Sequence, residues 1–296
     1  MKWLTVLSLF YIGITGCNAQ PEHSFAKQKN NNTLLWQVSG KGLQHSSFLF
    51  GTFHLMCRED IHFSNQLKEA VKASDEMYME LDMDDPSTLL SSMLYMNMKD
   101  GKKLSDFYTP EEYKKLQTYF TDSLGMPMML LQRTKPYFLV ALLYPKMMNC
   151  TSPSGVEEEL LKIAKEDKKE IKGLETVQFQ ASVFDSIPYG WQAKELMKNI
   201  DSFSVYKKEF DEMIHLYKNQ QLDSMQNMLA KSGSGSAKYD NLLVNDRNKK
   251  WVKELNEIMK KESVFVAVGA GHLTGKYGLI SLLKKEGYMV EPLMNK

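Results

Sequence analysis

Cysteine is scarce in this chain, with three in 296 residues, so a fold held by a dense disulfide framework is excluded. Excess charge of either sign is missing too. The formal net charge is +1 and there is no long basic block, which argues against nucleic acid as a partner. Long apolar runs are also absent. The apolar run from Leu4 to Ile14 is short, and too short to span a bilayer well. No internal repeat stands out beyond a single paired motif described below. What remains is ordinary globular material, 43% hydrophobic and 25% charged, long enough for one large domain with a substantial core.

The amino terminus reads as a targeting segment. Met1-Lys2-Trp3 followed by the apolar run has the form of a signal peptide. Ile14-Thr15-Gly16-Cys17 then resembles a bacterial lipobox, in which Cys17 is cleaved and lipidated, and the competing cut lies after Ala19. The chain thus divides into a signal peptide with lipobox (1–19), a flexible polar tether (20–32) and one folded domain (33–296). Export to the cell envelope follows, with a lipid anchor in the membrane or, after the other cut, a periplasmic or secreted protein. Processing leaves Cys57 and Cys150, which are either a disulfide or two buried thiols.

Two stretches share a design. Ser47-Phe48-Leu49-Phe50-Gly51-Thr52-Phe53-His54 and Val264-Phe265-Val266-Ala267-Val268-Gly269-Ala270-Gly271-His272 are each an apolar strand followed by Gly-x-x-His. They lie near opposite ends of the chain, so only the fold can bring them together. A parallel sheet does so by aligning strand C-terminal ends on one edge. The remaining periodicity gives a hairpin of Leu34–Val38 with Ser47–Gly51, a helix from Ser64 to Ala73, and a strand Met77–Met83. Helices follow from Asp85, with Leu89, Leu90, Met93, Leu94 and Met98 as its apolar face, from Pro110, and from Pro136 to Met148. A helix from Val156, a strand Glu170–Leu174, a helical block to Ala230, a flexible break Ser232–Ser236 and a long helix Tyr239–Lys260 precede the second histidine strand. The order favours an α/β fold: a central mixed, mainly parallel sheet with two large helical insertions.

His54 and His272 are the first site candidates, because imidazole both ligates metals and moves protons. Each follows a glycine that lets the backbone turn tightly. Glu80, in the strand Met77–Met83, reaches the same edge if that strand lies beside theirs. Two imidazoles and a carboxylate make a divalent-metal site with open positions. Asp82 is a weaker alternative. Glu157, in a helix's first turn, is a fourth ligand, a general base or a surface acid favoured by the helix dipole. Arg247 sits on an apolar stripe with Leu243, Trp251 and Leu255, so it either snorkels or pairs with a buried carboxylate or a substrate.

Gly51-Thr52-Phe53-His54, Glu80-Leu81-Asp82, Gly155-Val156-Glu157, Gly173-Leu174-Glu175-Thr176 with Gln180, Arg247-Asn248 with Trp251, and Gly269-Ala270-Gly271-His272 together resemble the TraB/GumN family. That family is similar to the Tiki metalloproteases and more distantly to the erythromycin-esterase/ChaN-like proteins. The resemblance covers residue 33 to the end. It implies a fold with two Gly-x-x-His motifs and a metal site at His54, Glu80 and His272. It also implies a metal-dependent protease using manganese or cobalt, as in Tiki relatives that trim amino termini of secreted signalling proteins; other members are linked to pheromone inhibition or polysaccharide gene clusters. Many relatives have Asp where this chain has Glu157. The expectation is an exported, metal-dependent hydrolase of peptides, with manganese, cobalt or zinc as cofactor and Glu80, Glu157 and Arg247 as catalytic groups. The alternative is a non-catalytic protein that sequesters a peptide or a haem-like ligand in the same cleft.

Overall fold

The computed structural model describes residues 25–231 and 236–296. The signal peptide, the lipobox cysteine, the start of the tether and most of the Ser232–Ser236 break lie outside the described residues. The described part of the tether, residues 25–32, is held against the sheet: Phe25 packs edge-on to Phe48, and Lys27 bridges to Leu293.

A mixed, mostly parallel six-stranded sheet forms the centre. Its strands are β1 (Leu35–Ser39), β2 (Ser47–Thr52), β4 (Glu76–Met79), β6 (Glu170–Gly173), β7 (Val264–Gly269) and β8 (Met289–Pro292), in the order β6-β4-β7-β2-β1-β8. β3 (Met56–Cys57) and β5 (Pro153–Ser154) form a separate two-stranded ribbon. β1 and β2 make the expected antiparallel hairpin, turning through Gly40, Lys41 and Gly42, all at positive φ. β2 pairs with β7 in parallel, and β4 runs parallel to both β7 and β6. The unbroken apolar character of β2 and β7 is explained by their place: both are central strands, covered on two faces.

The parallel strands deliver their C-terminal ends to one edge. His54 follows β2, Glu80 follows β4, Glu175 follows β6, and His272 follows β7. β4 is shorter than the expected Met77–Met83. Its partner β6 stops at Gly173, whose Cα presses against the backbone of Leu81 and Asp82, and Leu174 and Glu175 donate their amides back to Met79 and Glu80. Glu80 therefore stands just past the strand, at the rim rather than within the sheet.

The two helical insertions share a second core. Met98, Leu104, Leu116, Phe120, Leu139 and Leu143 from the first pack against Leu196, Met197 and Ile200 from the second. Lys135, only 1% exposed, ties them: its Nζ donates to the Tyr95 and Ala181 carbonyls (2.8 and 3.1 Å) and pairs with Asp185 at 2.8 Å. Every buried proton of that ammonium thus has an acceptor.

Two expectations are corrected here. The helix expected from Pro136 to Met148 is two short ones, Pro136–Ala141 and Tyr144–Met147, because Pro145 has no amide hydrogen to continue the ladder. The helix Pro86–Tyr95, capped by Asp85 as expected, turns its apolar residues outward. Leu90, Met93 and Leu94 are 64%, 65% and 70% exposed, while Met98, past the helix end, is buried in the second core. No helix among the described residues is long and apolar enough to cross a membrane.

Candidate metal centre

The glycine of each Gly-x-x-His motif works by close approach. Neither Gly51 nor Gly269 has positive φ, so the tight-turn role expected for them is not the one they play. A Cβ on Gly51 would stand 3.0–3.1 Å from Leu273 and Ala270, so its absence lets the two motifs touch. A Cβ on Gly269 would stand 3.3 Å from Glu80 Oε1, 3.8 Å from His272 Cδ2 and 4.0 Å from His54 Nε2. The three expected ligands therefore gather around one glycine.

Each imidazole is fixed through its Nδ1. His54 Nδ1 lies 2.7 Å from Glu157 Oε1, which also accepts the Thr52 hydroxyl at 2.6 Å. Glu157 is buried in the first turn of the helix Val156–Glu166, so the surface-acid alternative is excluded. His272 Nδ1 lies 2.7 Å from Asn248 Oδ1. The Asn248 amide nitrogen already donates to the His272 and Tyr277 carbonyls, so its oxygen must be the acceptor and His272 Nδ1 the donor. That leaves His54 Nε2 for the cleft, while His272 Nε2 faces Arg247 and Glu80. Trp251 supports the buried His272 ring from 4.5 Å, centroid to centroid.

Glu80 sits between them. Its Oε1 accepts the Gly269 amide at 3.0 Å and lies 3.7 Å from His272 Nε2. Its Oε2 accepts from Arg247 at 2.6 Å and from Gln180 at 3.2 Å. Arg247 is buried, so of the two alternatives the paired one holds. It donates through Nε to Glu175 Oε2 at 3.1 Å, also bonds Glu175 Oε1, and places a third nitrogen 3.3 Å from His272 Nε2. Asp82 is turned away, accepting the Asp85 amide at the start of the next helix.

Burial alone would lift the Glu80 carboxyl. The charges of His272, Arg247 and His54 and the Gly269 amide outweigh it and hold the group at about 2. Burial, with the Arg247 and His54 charges, outweighs the pull of Glu80 and brings His272 down to about 4. The neighbouring imidazole is then neutral at pH 7, which leaves Arg247, His54 and the amide as the groups that keep Glu80 ionised. The hydrogen bond that His54 donates to Glu157 is the main cause that lifts His54 to about 9 against its desolvation. Its ring is 78% exposed, so water screens that pair. Burial pushes Glu175 up despite its two contacts with the guanidinium.

The donor set suits a divalent ion in kind. Two neutral-capable imidazoles, each with Nδ1 held by an oxygen acceptor, and one ionised carboxylate are the usual composition of such a site and its supports. The spacing is looser than one ion's shell. Among the described residues, only Cys57, Glu59 and Cys150 bring three donor atoms within 4.8 Å of one another, and those cysteines are bonded to each other. Arg247 also occupies the free lone pair of His272. Glu175, Asn248 and Thr52 are members of this network to which the sequence reading assigned no role.

Fold and site define an α/β protein with a paired-histidine, carboxylate-rich centre at the C-terminal edge of its sheet. The chain belongs to the TraB/PrgY/gumN family, whose sequence model matches residues 34–292. It is 21% identical to a zebrafish (Danio rerio) protein named metalloprotease TIKI1, over 89% of this chain and 64% of that protein. It is 19% identical to zebrafish metalloprotease TIKI2, over 98% of this chain and 67% of the relative, and 21% identical to human (Homo sapiens) metalloprotease TIKI1, over 94% and 64%. The chain thus spans about two thirds of the length of these relatives. No solved structure matches it.

Proposed function

We propose that this protein is a metal-dependent hydrolase of peptides, holding a divalent ion with His54 Nε2, Glu80 and His272 Nε2. The observation that carries the reading is the matched anchoring of the two rings. Both Nδ1 atoms are bound by oxygen acceptors, His54 Nε2 and the edge of the His272 ring stand around Gly269, and His272 Nε2 lies 3.7 Å from the ionised Glu80 carboxylate. The likeness to proteins named metalloproteases supports the same class of chemistry. Manganese, cobalt and zinc all suit a donor set of imidazole and carboxylate.

A divalent ion, when bound, supplies Lewis-acid polarisation of the peptide carbonyl and eases deprotonation of water. The rest falls to the chain. Glu80, held at about 2, is too weakly basic to take a proton efficiently near neutrality, so its role is that of a charged ligand. Glu157 orients His54 and favours its Nδ1–H form, in the manner of a carboxylate behind a ligating histidine. Arg247, fixed by Glu175, has its guanidinium hydrogens taken by Glu175, Glu80, the Leu243 carbonyl and His272, and holds its positive charge beside the proposed ligands. From there its charge favours negative charge that develops in the site as attack proceeds.

The test is metal content of protein purified without chelator, together with cleavage of a peptide library with added manganese, cobalt or zinc. About one tightly held ion per chain and ion-dependent cleavage are expected. Protein that holds no divalent ion and cleaves nothing would sink the reading. The second reading, a non-catalytic peptide- or haem-sequestering protein, is favoured by the wide spacing of the donors and by the hold of Arg247 on Glu80 and His272. Ligand binding without cleavage, whatever the ion, would select it.

The proposal extends to location: an exported protein anchored in the envelope membrane through lipid on Cys17. The motivation is the apolar run and the sequence Ile14-Thr15-Gly16-Cys17. Cys17→Ala should move the protein from the membrane fraction to the soluble one. Unchanged membrane association, or a mature amino terminus at Gln20, would rule the anchor out.

A further inference from the structure

We infer that the Cys57–Cys150 disulfide, together with Gly155, positions His54 against Glu157 and thereby makes the site sensitive to redox state. His54 and Glu157 come from segments about a hundred residues apart, and the first helical insertion lies between them. They meet where the β3–β5 ribbon joins their loops. That ribbon has two residues per strand, Met56 opposite Ser154 and Cys57 opposite Pro153. A two-stranded ribbon of this size is not stable by itself. Two further backbone bonds flank it, Arg58 to the Ser152 carbonyl and Val156 to the Phe53 carbonyl, both 3.0 Å. The disulfide, with Cα atoms 5.8 Å apart, closes the end of the ribbon across a separation of 93 residues.

The other end is closed by shape. A Cβ on Gly155 would stand 2.8 Å from the His54 carbonyl oxygen and 3.3 Å from Glu157 Oε2. Only glycine lets the start of the Glu157 helix press on the His54 backbone this closely. The His54 ring is mostly in water and takes its orientation from the Glu157 carboxylate, so a small slip of the ribbon moves the ring. Ion pairs from Arg58 to Glu158 and Glu159 span the ribbon too, but the Arg58 guanidinium they share is half exposed and screened by water.

Reduction by a dithiol breaks the S–S bond. The two sulfurs take up two electrons and two protons and become thiols, and the dithiol becomes a disulfide. The ribbon then keeps its backbone hydrogen bonds, the Arg58 ion pairs and the packing of Met56 but loses its one covalent tie, and the His54–Glu157 pair loosens while the main sheet stays folded.

The metal arm of the test rests on the proposed function; the exchange arm does not. Hydrogen exchange by mass spectrometry would be compared for the oxidised chain, the dithiothreitol-reduced chain and a Cys57→Ser/Cys150→Ser variant. Peptides covering 53–58 and 150–157 should exchange about 10-fold faster or more on loss of the bridge, with β2, β4 and β7 unchanged. Manganese and cobalt affinity should fall roughly 10–100-fold, as for loss of a ligand's supporting partner. Gly155→Ala, with its bridge intact, should show the same drop in affinity. It decides the matter if reduction loosens the whole sheet. Unchanged exchange over 53–58 and 150–157 overturns the inference. So does faster exchange with unaltered ion affinity. If the oxidised chain binds neither ion, the metallohydrolase reading falls, and exchange alone then judges the clasp.

Discussion

Arg247→Met should destabilise the protein by about 3–5 kcal/mol, the range for removing one partner from a buried ion pair. The side chain is buried and bonds two carboxylates that come from the ends of neighbouring strands. Methionine fills similar space, so the loss is electrostatic in the main and leaves no large cavity. Glu175, whose side chain is fully buried, would lose both guanidinium contacts and keep Gln180. Its carboxyl is already pushed up by burial, so it would answer by taking a proton. Glu80 would keep the Gly269 amide and Gln180 but lose its main counter-charge at neutral pH. Arg247→Lys should recover only part of the loss. One ammonium cannot reproduce the fork that reaches Glu80, Glu175 and the Leu243 carbonyl together. Urea unfolding of the three proteins in chelator measures this directly. A change under about 1 kcal/mol for Arg247→Met would mean that the pairing offsets no more than its desolvation cost.

The parts of this network that were legible in the sequence are those with local signatures. The apolar runs of β2 and β7 announce central strands, and the histidines after them announce the strand ends. Arg247 stood out because a guanidinium on the stripe of Leu243, Trp251 and Leu255 needs a reason. Glu175 gave no such sign: a single acid after a short strand looks like a surface residue until β6 is placed beside β4. Asn248 lies next to Arg247 and three residues before Trp251, so its inward position was readable, but not its partner. Periodicity also fixed the stripe of the helix Pro86–Tyr95 without fixing its direction, because a moment has no sign until neighbours are known. The glycines were readable as obligatory and misread in cause. Their motif is the same whether a tight turn or a close approach requires it, and only the second operates at Gly51 and Gly269.

Glu80→Gln, His54→Ala and His272→Ala should each weaken divalent-ion binding by more than the roughly 10–100-fold seen when only a supporting partner is lost. Hydrolysis should fall at least in step. Glutamine keeps the shape of Glu80, but its single amide oxygen can accept either from Gly269 or from Arg247 and Gln180, and its NH2 group then faces the other donors. It loses the charge that offsets a dication, so its ion affinity is read beside its unfolding curve, which reports the lost hydrogen bonds. His54 is mostly exposed and its removal should leave folding nearly intact, with Glu157 still bonded to Thr52. His272 is different. It is buried against Trp251 and bonded to Asn248, so His272→Ala leaves a cavity and an unpaired amide oxygen, and its unfolding curve must be measured beside its ion affinity. His272→Gln, which can still donate towards Asn248, separates ligation from support. The measurement is isothermal titration with manganese and cobalt on chelator-treated protein, with peptide cleavage and thermal unfolding in parallel. Variants that fold, bind the ion and cleave like the parent would end the metallohydrolase reading. A loss confined to His54→Ala and Glu80→Gln would leave His272 as a partner of Arg247 rather than a ligand, in keeping with the 3.3 Å contact between them.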